Sequence, residues 1–410
     1  MLNLLRPVPT FSARPFPQII KYMGSKAGII DFVVDGISRA HRGGPVCDLF
    51  AGACSLSGAI GNQVDVISND IQSYSQTIAH IYLHAASGAL SGIDLALFLK
   101  EAKKLVGEAI RDLPSGLDYP SHTSLEEFNK IEDRNRQLID HHFDSEYHLF
   151  LRCYSGTWWS AQQCAWIDAL RAVADDWLAR DRIGNGDHAI LLSCVMHAMA
   201  YTGQGTGHYA QYRDAKTVSS MKDINIYRQK SVATYFERKL RSIIEWNTQN
   251  VLPRTHEITV LDYSDCLKKL DGGTVYADPP YAFVHYSRFY HAIETFVLYD
   301  YPDLQIQRGE VVKGRYRDER HQSPFSIRSL VGGAFTTMFE GVRGSGANLV
   351  LSYSNAALLD LDTMIELAHL ALGAAYDIEI FRRDHRHMTM GRKADRNRDV
   401  EETLLLAMQR

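Results

Sequence analysis

The 410-residue sequence predicts an α/β fold, a strand–helix sheet split by a mostly helical insertion, and three observations carry that reading. Residues 45–50 form an apolar run followed by the small-residue loop 51–55 and a helical pattern through Ile60. Strand, glycine turn, helix is a nucleotide-binding opening. From 88 to 250 the alternation stops and apolar residues recur at helical spacing. It then resumes, and the apolar strand 274–277 ends in Asp278, Pro279, Pro280 and Tyr281. The expected division is therefore 1–87, 88–250 and 251–410.

Composition narrows the class. Hydrophobic residues make up 45% and charged residues 22%, an ordinary globular balance. No apolar run is long enough to cross a bilayer, and the first seven residues lack the charged and apolar regions of a secretory signal. Cytoplasmic location without membrane attachment is expected. The six cysteines show no C-x-x-C pairing, so neither a disulfide nor a metal site is expected. A net charge of −4 means that any nucleic-acid face must be local. One candidate is the basic run holding His385, Arg386, Arg392 and Lys393; a second comprises Lys313, Arg315, Arg317, Arg320 and Arg328. Each is either a contact surface or a solvated loop.

In chain order, Ser25 is expected to cap a helix starting at Lys26, with Ile29, Ile30, Val33, Val34 and Ile37 on its apolar face. The strand 64–69 ends in Asp70, 22 positions after Asp48, where a ribose-binding carboxylate belongs. Helices are expected over 95–110, 124–140, 161–178, 189–201 and about 229–246. Trp158 and Trp159 read as core residues. The glycine-rich loop 201–213, with Gln211 and Arg213 near its end, suits base and phosphate contact. Further strands are expected at 257–261, ending in Asp262 and Tyr263, at 349–355, and at 376–381 and 403–407.

The end of the 274–277 strand has a definite chemistry. Two prolines force the chain out of the sheet, and in open α/β sheets ligands sit at the carboxyl ends of strands. Asp278 and the Pro279 carbonyl are acceptors, and Tyr281 offers a π face. An exocyclic amine on a flat heterocycle suits all three. A dehydrogenase would explain the glycine loop and Asp70 but not this strand end, and residues 50–55 lack G-x-G-x-x-G.

Four motifs now stand in order: Lys21-Tyr22-Met23-Gly24-Ser25-Lys26, Asp48-Leu49-Phe50-Ala51-Gly52, Asn69-Asp70 and Asp278-Pro279-Pro280-Tyr281. The set resembles the D12-class (Dam-like) DNA adenine-N6 methyltransferases over roughly residues 19–100 and 250–410. The resemblance implies a Rossmann-like S-adenosylmethionine-dependent methyltransferase sheet with an inserted target-recognition region. It implies S-adenosylmethionine as cofactor, double-stranded DNA as substrate, and a cognate restriction or defence component as a candidate partner. Tyr22, Lys26, Asp48, Phe50 and Gly52 would hold the methionine end, and Asp70 the ribose. Asp262 and Tyr263 either line the adenine of the cofactor or form a plain strand-end turn. Asp278, Pro279 and Tyr281 would be catalytic, acting on an adenine rotated out of the duplex. Tyr286, Arg288, Phe289 and Tyr290 either close over that base or face the core; Arg288 is a candidate DNA contact, as are Gln211, Arg213, His385, Arg386, Arg392 and Lys393. A cytosine-N4 methyltransferase would usually start the catalytic motif with serine. A catalytically silent relative that binds cofactor or DNA is the alternative from another class. One departure is Cys54, standing where the family usually has a second glycine; it would either crowd the methionine end or widen the loop.

Overall fold

Side-chain alternation along the central strands assigns each residue to one of two cores. Val46, Tyr276, Val350, Leu404 and Leu406 point to one face of the sheet, and Cys47, Val275, Leu349, Leu351 and Leu405 to the other. That period of two is the signature of strands buried on both sides. The protein is described from a computed structural model, which covers residues 10–84, 90, 92–205, 207–250, 254–280, 285–354, 357–388 and 397–410.

A 3-10 turn, Lys26–Ile29, leads into α1 (Ile30–Ala40), β1 (Val46–Asp48), α2 (Ser55–Ile60), β2 (Val66–Asn69) and α3 (Ser73–Leu83). The helix expected from Lys26 thus starts as 3-10, with Ser25 Oγ accepting from Ala27 N at 3.4 Å. Seven further helices precede the next strand: α4 (Leu95–Arg111), α5 (Leu125–Arg136), α6 (Leu149–Cys153), α7 (Ala161–Ala179), α8 (Asn185–Thr202), α9 (Val218–Arg228) and α10 (Val232–Gln249). The helix expected over 124–140 ends its α geometry at Arg136 and closes with a 3-10 turn, Gln137–Asp140. The sheet resumes with β3 (Glu257–Thr259), α11 (Tyr263–Lys269) and β4 (Thr274–Ala277). Then come α12 (Tyr286–Phe289), α13 (His291–Leu298), a hairpin of β5 (Ile306–Gln307) and β6 (Glu310–Val311), and α14 (Val331–Ser345). The chain finishes with β7 (Asn348–Ser354), α15 (Leu361–Leu372), β8 (Tyr376–Met388) and β9 (Asn397–Gln409). The last two strands are longer than expected because they pair with each other over 13 positions, out beyond the sheet.

The seven-stranded sheet has the order β3-β2-β1-β4-β7-β9-β8. The β1–β2, β1–β4, β2–β3 and β4–β7 pairs are parallel, and β9 runs antiparallel to both β7 and β8. β1 therefore has its chain successor on one side and β4, more than two hundred residues later, on the other. That is a topological switch point, where connections diverge and leave a crevice at the carboxyl ends of the strands.

α11, α14 and α15 cover one face through Leu267, Phe335, Met338 and Met364. α1, α2 and α3 cover the other through Val33, Ile37, Leu56 and Ile78, and the helices between β2 and β3 extend this same core. Trp158 and Trp159 are fully buried, and their ring nitrogens donate to Gly314 O and Met199 O at 3.1 and 3.2 Å. Beneath them Arg228, with no exposed side-chain surface, pairs with Glu132 at 2.8 Å and donates to Trp158 O, tying α9 to α5. The six cysteines are free thiols, all buried. Among the described residues no helix is long and apolar enough to cross a membrane.

Candidate active site

The switch point carries a cavity open to solvent at its mouth. The ends of three adjacent strands each bring it an acid. Asp48 closes β1, Asp70 follows β2 and Asp278 follows β4, and all three line it. Asn69, at the end of β2, ties it to the ends of β1 and β3. Its Nδ2 donates to Leu49 O and Leu261 O at 3.2 and 3.1 Å, while its Oδ1 accepts from Thr259 Oγ1 at 2.7 Å.

The first loop is shaped by close approach. Gly52 has φ +50°, and a Cβ there would meet three atoms of the Tyr22 ring at 2.9 Å. Its amide donates to Asp70 Oδ2 at 2.9 Å, while Asp70 Oδ1 accepts from Gln72 N. Cys54 also takes a left-handed conformation, φ +56°, but its thiol turns inward, 3.2 Å from Ser75 O. It is fully buried, and the cavity is lined instead by Ala53, Ser55 and Leu56 on this stretch. Of the two alternatives for Cys54, crowding does not occur, because the side chain packs against Ser75 of α3 rather than lining the cavity.

Lys26 is buried, with Nζ 3.3 Å from Asp278 Oδ1 and 3.5 Å from Glu402 Oε2 of β9. It is the one lysine or arginine among the described lining residues. Burial, reinforced by the charges of Asp278 and Asp70, pushes the Asp48 carboxyl well above its usual range, and Asp48 Oδ1 has no hydrogen-bond partner. Burial also pushes Asp70 up to about 6, against the opposing hydrogen bonds from Gln72 and Gly52.

Aromatic rings form two walls. On one, Tyr22 stacks on Tyr290 at 4.7 Å and on Tyr286 at 5.5 Å. Tyr290 Oη accepts from Met23 N at 2.6 Å and Tyr286 Oη donates to Met23 O at 3.2 Å, so α12 and α13 grip the Lys21–Lys26 motif. Tyr290 is buried, Phe289 packs on His208, and Tyr286 lines the cavity. Glu294 of α13 accepts from Ser73 N and Tyr74 N at 2.9 and 3.0 Å, capping α3 just beyond Asp70. On the other wall Phe50 and Tyr263 stack at 5.9 Å, and Phe325 meets both edge-on. Asp262 lines the cavity while its Oδ1 accepts from Ser264 N at 2.9 Å, so it also caps α11.

Sequence reasoning missed Glu402, Glu294, Phe325 and His321. Glu402 had a readable signal, an acid directly before the apolar run 403–407. His321 lies in a polar stretch, and Glu294 and Phe325 sit among mixed neighbours that give no sign of what they pack against. Pro279 is buried, and Pro280 lines the cavity. Tyr281, Arg392 and Lys393 fall outside the described residues; His385 and Arg386 lie on β8. Gln211 is exposed, Arg213 pairs with Asp223, and Arg288 is exposed beside the ring of Tyr316. Within the glycine loop His208, Tyr209 and Ala210 are buried. Among the described residues no group of three or more His, Cys, Asp or Glu could hold a metal ion.

Comparison with known proteins bears on this site. Residues 22–154 match the family model for D12 class N6 adenine-specific DNA methyltransferases, a stretch that includes Tyr22, Lys26, Asp48, Gly52 and Asp70. The chain is 21% identical over 350 residues to a modification methylase, LlaI, of Lactococcus lactis subsp. lactis, covering 85% of this chain and 48% of that protein. It is 23% identical over 346 residues to the type II methyltransferase M.FokI of Planomicrobium okeanokoites, covering 80% and 49%. The chain spans about half the length of these curated relatives.

Proposed function

We propose, from the match of residues 22–154 to the family model for D12 class N6 adenine-specific DNA methyltransferases, that this protein methylates adenine in duplex DNA at N6. The observation that carries the reading is the convergence of Asp48, Asp70 and Asp278 on one cavity at the sheet's switch point. The Rossmann-like methyltransferase sheet and a target-recognition role for residues 88–250 belong to the same proposal. So do a restriction or other defence system as its setting and the cytoplasm as its place of action.

The donor set fits S-adenosylmethionine. Four aspartates, Asp48, Asp70, Asp262 and Asp278, line a cavity with one lining ammonium, and the partnerless Asp48 Oδ1 would gain from a positively charged ligand. S-adenosylmethionine supplies an activated methyl group on a cationic sulfur. Tyr22, the Phe50–Gly52 turn and Asp48 would hold the methionine end, with Lys26 beside them. Asp70 would accept from the ribose through the lone pairs left by Gly52 and Gln72. Phe50, Asp262 and Tyr263 would flank the cofactor's adenine.

An adenine stacked in a duplex cannot reach the cavity, so the base must be rotated out. Asp278 and the Pro279 carbonyl would accept the two amine hydrogens, drawing the nitrogen lone pair out of conjugation and fixing its direction. Tyr281 would stack on the ring. Lys26, 3.3 Å from Asp278, orients that carboxylate. The gain is alignment, plus stabilisation of positive charge as it develops on nitrogen. Gln211, Arg213, Arg288, His385, Arg386, Arg392 and Lys393 would contact DNA.

The test is transfer of labelled methyl from S-adenosylmethionine to duplex DNA, followed by nucleoside analysis. N6-methyladenine is expected; label on cytosine, or none, would overturn the reading. Asp278→Ala should abolish transfer while changing cofactor affinity by no more than about threefold, since the loss falls on the base rather than the cofactor.

A further inference from the structure

The basic residues between α13 and α14 do not behave alike. Lys313 lies 3.3 Å from Asp214, Arg317 makes a bidentate pair with Asp300 at 2.6 and 2.7 Å, and Arg315 is buried. Arg320 is different. Its guanidinium lies 5.8 Å from the centre of the Tyr316 ring, and the guanidinium of Arg288, from α12, lies 4.6 Å from the same ring. Neither arginine has an ion pair among the described residues, and Arg320 Nη1 is buried without any acceptor. Burial and then the charge of Arg288 hold Arg320 below the usual guanidinium range, with Asp318 as the opposing acid.

Two like charges on one ring are unfavourable unless something negative joins them. The platform is rigid. Tyr316 is buried, donates from Oη to Ala210 O at 2.5 Å, and packs edge-on against His291 at 5.0 Å. Its place is equally specific. Arg288 follows Ser287 and Arg320 precedes His321, and both neighbours line the cavity. The two arginines thus flank the cavity from two separate chain segments.

We infer that Arg288, Tyr316 and Arg320 form a phosphate clamp at the cavity rim, which takes the DNA backbone phosphate beside the extruded nucleotide. The inference rests on the methyl-transfer reading of the cavity, since a base entering it brings its flanking phosphates to the rim. Guanidinium forks bind phosphate oxygens bidentately, and an anion there satisfies Nη1 and screens the two cations from each other. Such a contact positions the strand without reading sequence. Tyr316 does not touch the phosphate; it sets the spacing of the two forks.

The test is DNA binding by fluorescence anisotropy between about 50 and 200 mM salt, with Arg288→Gln, Arg320→Gln, the double variant, and the corresponding Lys substitutions. The log–log salt slope should fall by about one per arginine and about two in the double variant, with cofactor affinity unchanged. The Lys variants should regain the slope, which a merely folding defect would not allow. A double variant with the wild-type slope, or Lys variants that regain none of it, overturns the clamp. Wild-type protein that binds no DNA overturns instead the methyl-transfer reading on which the clamp rests.

Discussion

Lys26→Met removes the ammonium that sits between Asp278 and Glu402, and the structure sets the size of the loss. At separations of 3.3 and 3.5 Å, each contact is worth about 5 kcal/mol of attraction at an effective dielectric of about 20. Asp278 is 19% exposed and partly screened, whereas Glu402 is 1% exposed, so the Glu402 contact dominates. Relief from burying the ammonium offsets part of this, and breaking a buried pair costs about 3–5 kcal/mol in net terms. That loss is expected at pH 8 in urea denaturation. Glu402→Gln in the Lys26→Met background should recover about 1–3 kcal/mol, although alone it is destabilising, giving a clearly non-additive cycle. A loss under about 1 kcal/mol or an additive cycle would refute the reasoning.

Two further outcomes follow from the loop and its acids. Gly52→Ala should cost about 2–4 kcal/mol, from left-handed strain and overlap with the Tyr22 ring, and weaken cofactor binding at least about tenfold; unchanged denaturation and calorimetry would remove Tyr22 from the cavity wall. Cofactor affinity should rise with pH through about 6 and then level, because a cationic ligand favours ionised Asp70 and so expels its proton. By the same linkage, Asp70 contributes to stability of the free protein below its usual 3.8, and that contribution is lost as pH rises through about 6. Calorimetry in buffers of different ionisation enthalpy checks the proton release; flat affinity from pH 5 to 8 would contradict it.

Much of the site was legible from local pattern. Asp48 lies near the end of one expected strand and Asp70 and Asp278 follow two others, and parallel strands present their carboxyl ends at one edge, so the three acids were expected to share it. Glycine at 52 and two prolines at 279 and 280 act through their own backbone constraints, which any reader of the chain can apply. The elements between 285 and 345 were harder. α12 and α13 are short, and their apolar residues are interleaved with His, Tyr and Arg, so no period stands out. α9 has buried residues only at Met221, Ile224, Asn225 and Arg228, two of them polar with side-chain nitrogens that donate to distant partners.

The sequence by itself determined the α/β order, the strand ends and the kinds of acceptor placed there, because those depend on neighbours a few residues apart. The tertiary structure alone decided that Lys26 faces Asp278 and Glu402, that Cys54 turns into the core, and that Arg288 and Arg320 share Tyr316. Each of those joins residues brought together by sheet order and helix packing. Their energies come from burial and from charges at a few ångströms, quantities that do not exist until the chain has closed on itself.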